Sequence, residues 1–283
     1  MKIGIVGLGL IGGSLARDLS ARGVTVVGYD RSAATMRAAK RAKGISGAIG
    51  ADLAGIESCD VCVIAVPVDA APGLLTLAAA RLGRVQCITD VGSTKASIGR
   101  AAMELGLDRQ FVGGHPFSGD HASGWRASRT GLFTDTRVFL CPTLRTRRVA
   151  VAAARRLWRL VGARPVMMDA NAHDAFVARA SHLPQLVSTT LAIALAQSRV
   201  ARARLGPGGR DVTRLAAADP DVWSAIALDN AANLVPLLAR YERAIRDTRN
   251  AIASGRAGAV RARLDAARRW VAGTKRATAD ARQ

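Results

Sequence analysis

A glycine-rich turn near the start of the chain constrains the fold more than any other feature. Residues 7–12 read Gly-Leu-Gly-Leu-Ile-Gly, after an apolar run over residues 2–6 and before a helical segment over residues 14–22. In a G-x-G-x-x-G turn the first glycine permits the bend, the second lets a pyrophosphate approach and the third lets a helix pack on a strand. The helix start also presents free amides to phosphates. The segment therefore predicts a strand, a dinucleotide-binding loop and a helix.

A carboxylate closes the second predicted strand. Asp30 follows the apolar run over residues 24–29 and lies 18 residues after Gly12. A carboxylate there accepts hydrogen bonds from the ribose hydroxyls and repels a 2′-phosphate, which favours NAD over NADP. The neighbouring Arg31 complicates this choice, because its guanidinium could pair with that phosphate. We predict NAD as the cofactor, bound by Gly7, Leu8, Gly9, Leu10, Ile11, Gly12, Asp30, Arg31, Val66, Pro67, Asp90 and Ser93.

Strands and helices alternate over the first part of the chain and give way to helices afterwards. Apolar runs at 61–66, 85–90, 111–113 and 136–140 alternate with helical stretches, which indicates a parallel sheet covered on both faces. Helical periodicity then dominates over 147–161, 172–204, 220–254 and 258–272, and residues 164–168 are expected to add a strand to the sheet. We predict a Rossmann-type doubly wound α/β domain over 1–168, an all-helical dimerisation domain over 169–273 and a disordered tail over 274–283.

The composition argues against several classes of function. The formal net charge is +20, but the arginines are dispersed and no aromatic residues are interleaved for base stacking, so nucleic-acid binding is not expected as the main function. The first residues lack the charged region and cleavage site of a signal peptide. No apolar run resembles a membrane span. We therefore expect a cytoplasmic protein with a small-molecule substrate and no membrane partner.

The cysteines invite a redox or metal interpretation, which their positions disfavour. Cys59 and Cys62 form a C-x-x-C motif, but they approach an apolar strand instead of a helix N-terminus, where the dipole would lower a thiol pKa. We interpret both, with Cys87 and Cys141, as buried thiols. The histidines lack the spacing of a helical metal site, so we predict no metal.

Three polar segments carry the candidate chemistry. Residues 89–95 leave the carboxyl end of a predicted strand, where ligands bind in open α/β sheets. Residues 113–121 form a glycine-rich loop that places His115 on irregular backbone, and residues 173–185 place His173 and His182 in a helix. A single histidine that titrates near neutral pH suits general acid–base catalysis better than metal binding.

Six segments in order resemble the prephenate/arogenate (cyclohexadienyl) dehydrogenase family. They are GLGLIGGS at 7–14, DVGSTK at 90–95, GGHPFSG at 113–119, SHLPQ at 181–185, DVTRLA at 211–216 and DPDVW at 219–223. The resemblance extends from residue 1 to about residue 270. It implies oxidative decarboxylation of prephenate or arogenate on the route to tyrosine: hydride leaves ring carbon C4 for NAD, and the C1 carboxylate leaves as CO₂.

The resemblance also implies roles for individual residues. His115 would take the proton of the C4 hydroxyl, Ser93 would hydrogen-bond that hydroxyl and orient His115, and Arg214 would hold the ring carboxylate. The further substrate-binding residues would be His182, Gln185, His121, Gly119 and Asp211. Two alternatives stay open: His182 could be a structural residue of the helix core, and Arg214 could be a surface arginine without a role in binding. The helical domains of two subunits would intertwine in a homodimer and bring Asp211 or Gly209 towards the partner's site.

Two departures from the family pattern concern the substrate side chain. Gln185 stands where prephenate-using members commonly have a second histidine, and His121 stands where some relatives carry an acidic residue. The neutral amide removes one penalty against the ammonium group of arogenate, whereas a protonated His121 would act in the opposite direction. Substrate choice therefore stays open, with a preference for a broad or arogenate-tolerant enzyme.

Two other functions fit a nucleotide-binding domain followed by helices. A β-hydroxyacid dehydrogenase or imine reductase has this organisation, but relies on a catalytic Lys or Asp in the helical domain, where this chain has a histidine motif. An NAD-sensing module would keep the fold without chemistry. The presence of Ser93, His115 and Arg214 together disfavours it.

Overall fold

The sheet that the sequence predicts is present in a computed structural model, which describes the backbone of residues 1–118 and 122–280 and the side chains of these up to residue 273. Its strands are β1 (Lys2–Val6), β2 (Thr25–Tyr29), β3 (Gly47–Ala48), β4 (Val61–Ile64), β5 (Cys87–Asp90), β6 (Phe111–Pro116), β7 (Arg137–Pro142) and β8 (Arg164–Met167). They lie in the order β3-β2-β1-β4-β5-β6-β7-β8. All pairs are parallel except β6 with β7.

Five helices accompany the sheet: α1 (Leu10–Ala21), α2 (Ala33–Arg41), α3 (Ala70–Leu82), α4 (Ala96–Glu104) and α5 (Arg148–Leu160). The later helices are α6 (Ala170–Val177), α7 (Leu183–Gln197), α8 (Pro207–Val212), α9 (Pro220–Asp229), α10 (Ala231–Ala253) and α11 (Ala257–Asp280). A π-helical segment, Ala178–His182, joins α6 to α7. The doubly wound sheet followed by helices confirms the predicted fold class.

The strands are apolar on both sides because helices cover both faces of the sheet. Ile3 and Ile5 of β1 point into one core, which also contains Leu15 of α1 and Trp158 of α5. Alternate residues point the other way: Val6, Cys62 and Ile64 belong to a second core with Leu75 of α3 and Ile98 of α4. Neighbouring residues of one strand thus stabilise opposite layers, as the period of a β-strand requires.

Some segments differ from the expected boundaries. Strand β6 is longer than the run predicted at 111–113, since it pairs with β7 and His115 lies opposite Phe139. His115 is therefore in a strand and not on irregular backbone, as we had expected. The helix expected over 172–204 is interrupted at 178–182 and ends at Gln197. The helix expected over 220–254 breaks at Asn230, whose buried side chain bonds the carbonyl of Asp174.

The structure divides into two compact units, Met1–Asn233 and a second that begins at Leu234. The boundary predicted at 168/169 separates the sheet from the helices and stays a prediction. Helix α11 extends through residues 274–280, where we had expected a disordered tail; alanine, arginine and lysine there are good helix formers. Residues 281–283 lie outside the described residues.

The four cysteines are free and buried. Burial raises the pKa of the Cys87 and Cys141 thiols to about 12, so these thiols are unreactive near neutral pH. Within the described residues no group of three or more His, Cys, Asp or Glu side chains could hold a metal ion. In the same part of the chain no single helix is long and apolar enough to span a membrane. Among the described helices, only α9 and α10 taken together reach the length and apolar composition of a membrane span.

Candidate active site

The glycine loop lies where β1 passes into α1, and its glycines have different surroundings. Gly7 has a φ of +94°, and a Cβ there would lie 2.2 Å from the carbonyl oxygen of Ala65. A Cβ on Gly12 would lie 2.0 Å from the carbonyl oxygen of Gly7. A Cβ on Gly9 would meet nothing within 4 Å, and α1 starts there without a capping side chain. The loop is therefore closely packed except at Gly9, where open space adjoins free helix amides. This is the cradle that a dinucleotide pyrophosphate needs.

Asp30 connects the end of β2 to this loop. One carboxylate oxygen accepts from the amide of Leu8 at 2.9 Å, and the other accepts from the amide of Ser32 at 2.8 Å. The Leu8 side chain is fully buried, so this residue faces the core. The side chain of Arg31 is exposed.

The other predicted cofactor residues adjoin the loop. Val66 and Pro67 follow β4, the strand beside β1, and a Cγ of Val66 lies 3.3 Å from the position of a Cβ on Gly7. Leu10 and Ile11 open α1 and are half-buried. The predicted residues thus gather at the carboxyl edge of β1, β2 and β4. This is the switch point at which open α/β sheets bind nucleotides.

A buried ion pair holds the turn after β5. Asp90 accepts from Lys95 Nζ and from the amides of Gly92, at 2.8 Å, and Gly114, at 3.0 Å. Lys95 Nζ also donates to the carbonyl of Gly114 at 2.7 Å. Both side chains are almost fully buried, which is tolerable because each charge is paired and hydrogen-bonded. All these contacts of Asp90 are internal, and its contact with a cofactor stays a prediction.

Lys95 received no role from the sequence. The signal that could have found it is the spacing of Asp90 and Lys95, which bracket a Gly-Ser-Thr turn at the carboxyl edge of a buried strand. A lysine in such a turn needs a nearby anion if it is buried.

His115 lies on β6 and is only 8% exposed. Its Nδ1 lies 2.8 Å from Nε2 of His173, and its ring has edge contact with Phe117. Burial lowers the pKa of His115 well below the usual 6.5, and the positive charge of Lys95 acts in the same direction. Its imidazole is therefore neutral near pH 7 and available to accept a proton.

His173 and Asp174 continue the hydrogen-bonded chain. Nδ1 of His173 lies 2.8 Å from a carboxylate oxygen of Asp174. Asp174 also accepts from the amides of Lys95 at 2.8 Å and Ala96 at 2.9 Å, where α4 begins. The sequence places His173 and Asp174 in a polar segment without a role, and the structure brings them directly behind His115.

His182 has the surroundings of a structural residue. It is 1% exposed, its Nδ1 lies 3.1 Å from the side-chain amide of Asn230, and its ring packs edge-on against Trp223. Burial lowers its pKa to about 4, although the charge of Asp174 opposes the shift. These contacts favour the structural alternative, while contact with a substrate stays a prediction.

Helix α7 holds the segment that carries Arg214. The buried Gln185 donates from Nε2 to the carbonyl of Leu215 at 2.7 Å, and Ser188 donates to the carbonyl of Val212 at 2.7 Å. Arg214 and Asp211 are exposed, and no ion pair joins them. The structure thus places Gln185 beneath this segment, with one side of its amide already used.

The remaining predicted site residues divide into two groups. Ser93 is half-buried in the turn between β5 and α4, and its hydroxyl makes no hydrogen bond to any described residue. Gly119 and His121 lie outside the described residues. The glycine loop, the turn after β5 and His115 all belong to the carboxyl-edge side of β1, β5 and β6, and this arrangement can place a proton acceptor near a bound nucleotide.

Two family models match the chain in succession. The model described as prephenate dehydrogenase, nucleotide-binding domain, matches residues 15–167. The model described as prephenate dehydrogenase, dimerization domain, matches residues 169–266. Together they cover most of the chain.

Curated relatives and solved structures agree with these models. A cyclohexadienyl dehydrogenase of Zymomonas mobilis is 34% identical over 89% of this chain and 88% of its own length. A prephenate dehydrogenase of Bacillus subtilis is 34% identical over 80% of this chain, which spans only 63% of that relative. The Aquifex aeolicus prephenate dehydrogenase, solved with hydroxyphenyl propionate and NAD⁺, has a TM-score of 0.87 and 26% identity over 97% of this chain and 98% of its own.

Other structures resemble the chain to different degrees. An arogenate dehydrogenase of Synechocystis has a TM-score of 0.76 and 29% identity over 94% of this chain and 96% of its own. An imine reductase of Streptomyces aurantiacus has a TM-score of 0.52 and 18% identity over 87% of this chain and 78% of its own. The last likeness concerns the fold alone.

Because Gly9 adjoins open space and Gly12 is closely packed, alanine at the two positions should have different effects on NAD binding and on stability. Gly9→Ala should fold with an unchanged Tm but bind NAD at least tenfold more weakly, since its methyl group enters the space for the pyrophosphate. Gly12→Ala should lower Tm, because its methyl group collides with the backbone of Gly7. Thermal unfolding and calorimetric titration with NAD measure both. Unchanged NAD affinity in Gly9→Ala would contradict the placement of the cofactor.

Proposed function

The chain belongs to the prephenate dehydrogenase family, and on that premise we propose that it catalyses the NAD-dependent oxidative decarboxylation of prephenate or arogenate. The observation that carries the proposal is His115, a buried imidazole whose pKa lies well below 6.5. It lies on the strand next to β5, whose carboxyl end leads into the turn that carries Ser93. A neutral imidazole at this edge can accept the proton of a substrate hydroxyl.

The proposed reaction balances with the residues at hand. His115 accepts the proton of the C4 hydroxyl while the hydrogen on C4 leaves with its electron pair. NAD, when bound in the glycine loop, supplies the acceptor for that hydride. The electrons of the bond between C1 and its carboxylate enter the ring as CO₂ departs, which makes the ring aromatic. His115 then returns its proton to the phenolic oxygen, so no net proton is released.

Ser93 and Arg214 position the substrate in this proposal. The Ser93 hydroxyl has no hydrogen bond to a described residue and can bond the C4 hydroxyl. The exposed Arg214 guanidinium can form a charge-assisted, bidentate contact with a substrate carboxylate. Gln185 and Ser188 support Arg214 through the backbone of Leu215 and Val212.

For the substrate side chain we propose that both prephenate and arogenate are accepted. Gln185 carries no charge, and its Nε2 is used by Leu215, so it leaves only an oxygen acceptor. An acceptor oxygen suits the ammonium group of arogenate and does not repel it. The similarity to a cyclohexadienyl dehydrogenase over most of both chains supports a broad substrate range. Comparing kcat/KM for the two substrates measures this range.

We also propose that the protein is a homodimer. The second family model is named for dimerization. In the second compact unit, α10 carries a mostly apolar groove lined by Tyr241, Ala244, Ile245, Thr248, Arg249, Ile252 and Ala253. Ile245 and Ile252 are 52% and 62% exposed, and exposed apolar surface of this kind commonly marks an interface.

Turnover and two active-site variants test the proposed reaction. The wild-type protein should form NADH from NAD with prephenate or arogenate. His115→Ala should lower kcat by about 10²- to 10⁴-fold, because general acid–base catalysis is lost. Arg214→Ala should instead raise KM, because it removes a charge-assisted contact to the substrate. NADH absorbance measures both, and absence of turnover with either substrate would refute the function.

The pKa of His115 sets the expected pH dependence. The proton acceptor must be neutral, so kcat/KM falls as the pH drops through the pKa of His115 in the free enzyme. Because burial holds this pKa well below 6.5, kcat/KM should be constant from neutral pH to below pH 6.5. A pH series of initial rates checks this. An inflection at or above pH 6.5 would contradict the buried, neutral state of His115.

The homodimer has its own test. Ile245→Glu combined with Ile252→Glu places charges in the α10 groove and should convert a dimer into a monomer, since buried unpaired charge is costly. Leu144→Glu, at a fully exposed position in the β7–α5 turn, is the matched control and should stay dimeric. Light scattering after size-exclusion chromatography gives the mass. A wild-type monomer, or a dimeric double variant, would refute this interface.

A further inference from the structure

Three buried side chains form one hydrogen-bonded chain behind the proton acceptor. Asp174 contacts Nδ1 of His173 at 2.8 Å, and Nε2 of His173 contacts Nδ1 of His115 at 2.8 Å. His173 is fully buried, Asp174 is 5% exposed and His115 is 8% exposed. Solvent therefore does not compete for these nitrogens, and each proton must be placed by a protein group.

The donors around Asp174 determine where the protons lie. Oδ1 accepts from the backbone amide of Lys95 and Oδ2 from that of Ala96, and Oδ1 also lies 2.8 Å from Nδ1 of His173. A carboxylate can only accept hydrogen bonds, so a ring nitrogen within hydrogen-bond distance of it has to be the donor. His173 must therefore carry its proton on Nδ1. With its proton on Nδ1, the His173 ring offers the lone pair of Nε2, 2.8 Å from Nδ1 of His115, and His115 donates to it from Nδ1.

We propose that Asp174 and His173 are positioning residues that fix the Nδ1–H tautomer of His115 and leave Nε2 as the atom that takes the substrate proton. This inference rests on the proposed role of His115 as proton acceptor. Without the acceptor on His173, the Nδ1–H of His115 has no partner in a pocket formed by Phe117 and Phe139. The imidazole can then turn or change tautomer, and the lone pair no longer faces the substrate.

His173 is the better residue for a test than Asp174. Asp174 also holds the first turn of α4 and accepts a hydrogen bond from Asn230 at its backbone carbonyl. A change at Asp174 therefore combines a structural effect with any effect on His115. Among the described residues, the side chain of His173 makes hydrogen bonds only with Asp174 and His115. Its replacement therefore acts mainly on the hydrogen bonds between these three side chains.

Two variants of His173 differ in whether they keep a hydrogen-bond acceptor at the position of Nε2. In His173→Gln the amide oxygen reaches the position of Nε2 and can accept from His115. In His173→Met the volume is similar but the acceptor is lost. His173→Met should lower kcat by about 10²-fold, as expected when a catalytic histidine loses its orienting partner. Its substrate KM and NAD affinity should stay within about twofold of wild type, and His173→Gln should recover most of kcat.

Nitrogen NMR of the imidazole rings gives a readout that does not depend on turnover. The chain has only four histidines, and the signals of His115 are identified by their loss in His115→Ala. In the wild type and in His173→Gln, His115 should carry its proton on Nδ1, and its Nε2 should be unprotonated. In His173→Met the two tautomers should be mixed.

The outcomes separate this inference from the proposed function. If neither prephenate nor arogenate is turned over, the function fails, while the nitrogen spectrum still tests the tautomer. If turnover is normal but wild-type His115 carries its proton on Nε2, the inference is overturned. An unchanged kcat in His173→Met also overturns it. If His173→Met does not fold, as judged by its Tm, the wild-type and His173→Gln spectra decide.

Discussion

The buried ion pair between Asp90 and Lys95 is the contact on which the geometry of the site depends. Removing a carboxylate and an ammonium from water costs several kcal/mol for each ion, and loss of one partner from such a pair costs about 3–5 kcal/mol. Both partners also bond the backbone of Gly114, which immediately precedes His115. A Cβ on Gly114 would lie 2.4 Å from the carbonyl oxygen of Asp90. The pair thus fixes β6 against the turn after β5.

A second carboxylate extends this arrangement from the sheet to the helices. Asp174 bonds the backbone of Lys95 and Ala96, so the start of α4 is held by Asp90 through a side chain and by Asp174 through amides. His115 and His173, which are 58 residues apart, meet as a result. The position of His115, the proposed proton acceptor, therefore depends on both β6 and α6. Polar groups buried this deeply have to be satisfied almost completely, which explains the density of hydrogen bonds around them.

The sequence predicted those features that local signals determine. The strand, glycine turn and helix at residues 2–21 follow from the spacing of apolar residues and the positions of the glycines. The motif around His115 identified this residue as the candidate proton acceptor, a role that stays a prediction. The roles of His173 and Lys95 could not be predicted, because a contact between residues 58 apart has no local signature. The break at Asn230 depends on a bond to Asp174, which overrides helix propensity. The contact of Gln185 with the substrate stays a prediction, and its bond to the carbonyl of Leu215, 30 residues away, has no local signature either.

The low pKa of His115 raises the question of how so weak a base would assist the proposed reaction. A base need not remove the hydroxyl proton completely before hydride leaves, because departure of the hydride makes the C4 hydroxyl far more acidic. Loss of CO₂ and formation of an aromatic ring supply the driving force, so base strength is not limiting. A weak base also returns the proton readily to the phenolic oxygen. In the proposed mechanism, burial lowers the pKa of His115 and so keeps it neutral before the reaction and lets it release the proton afterwards.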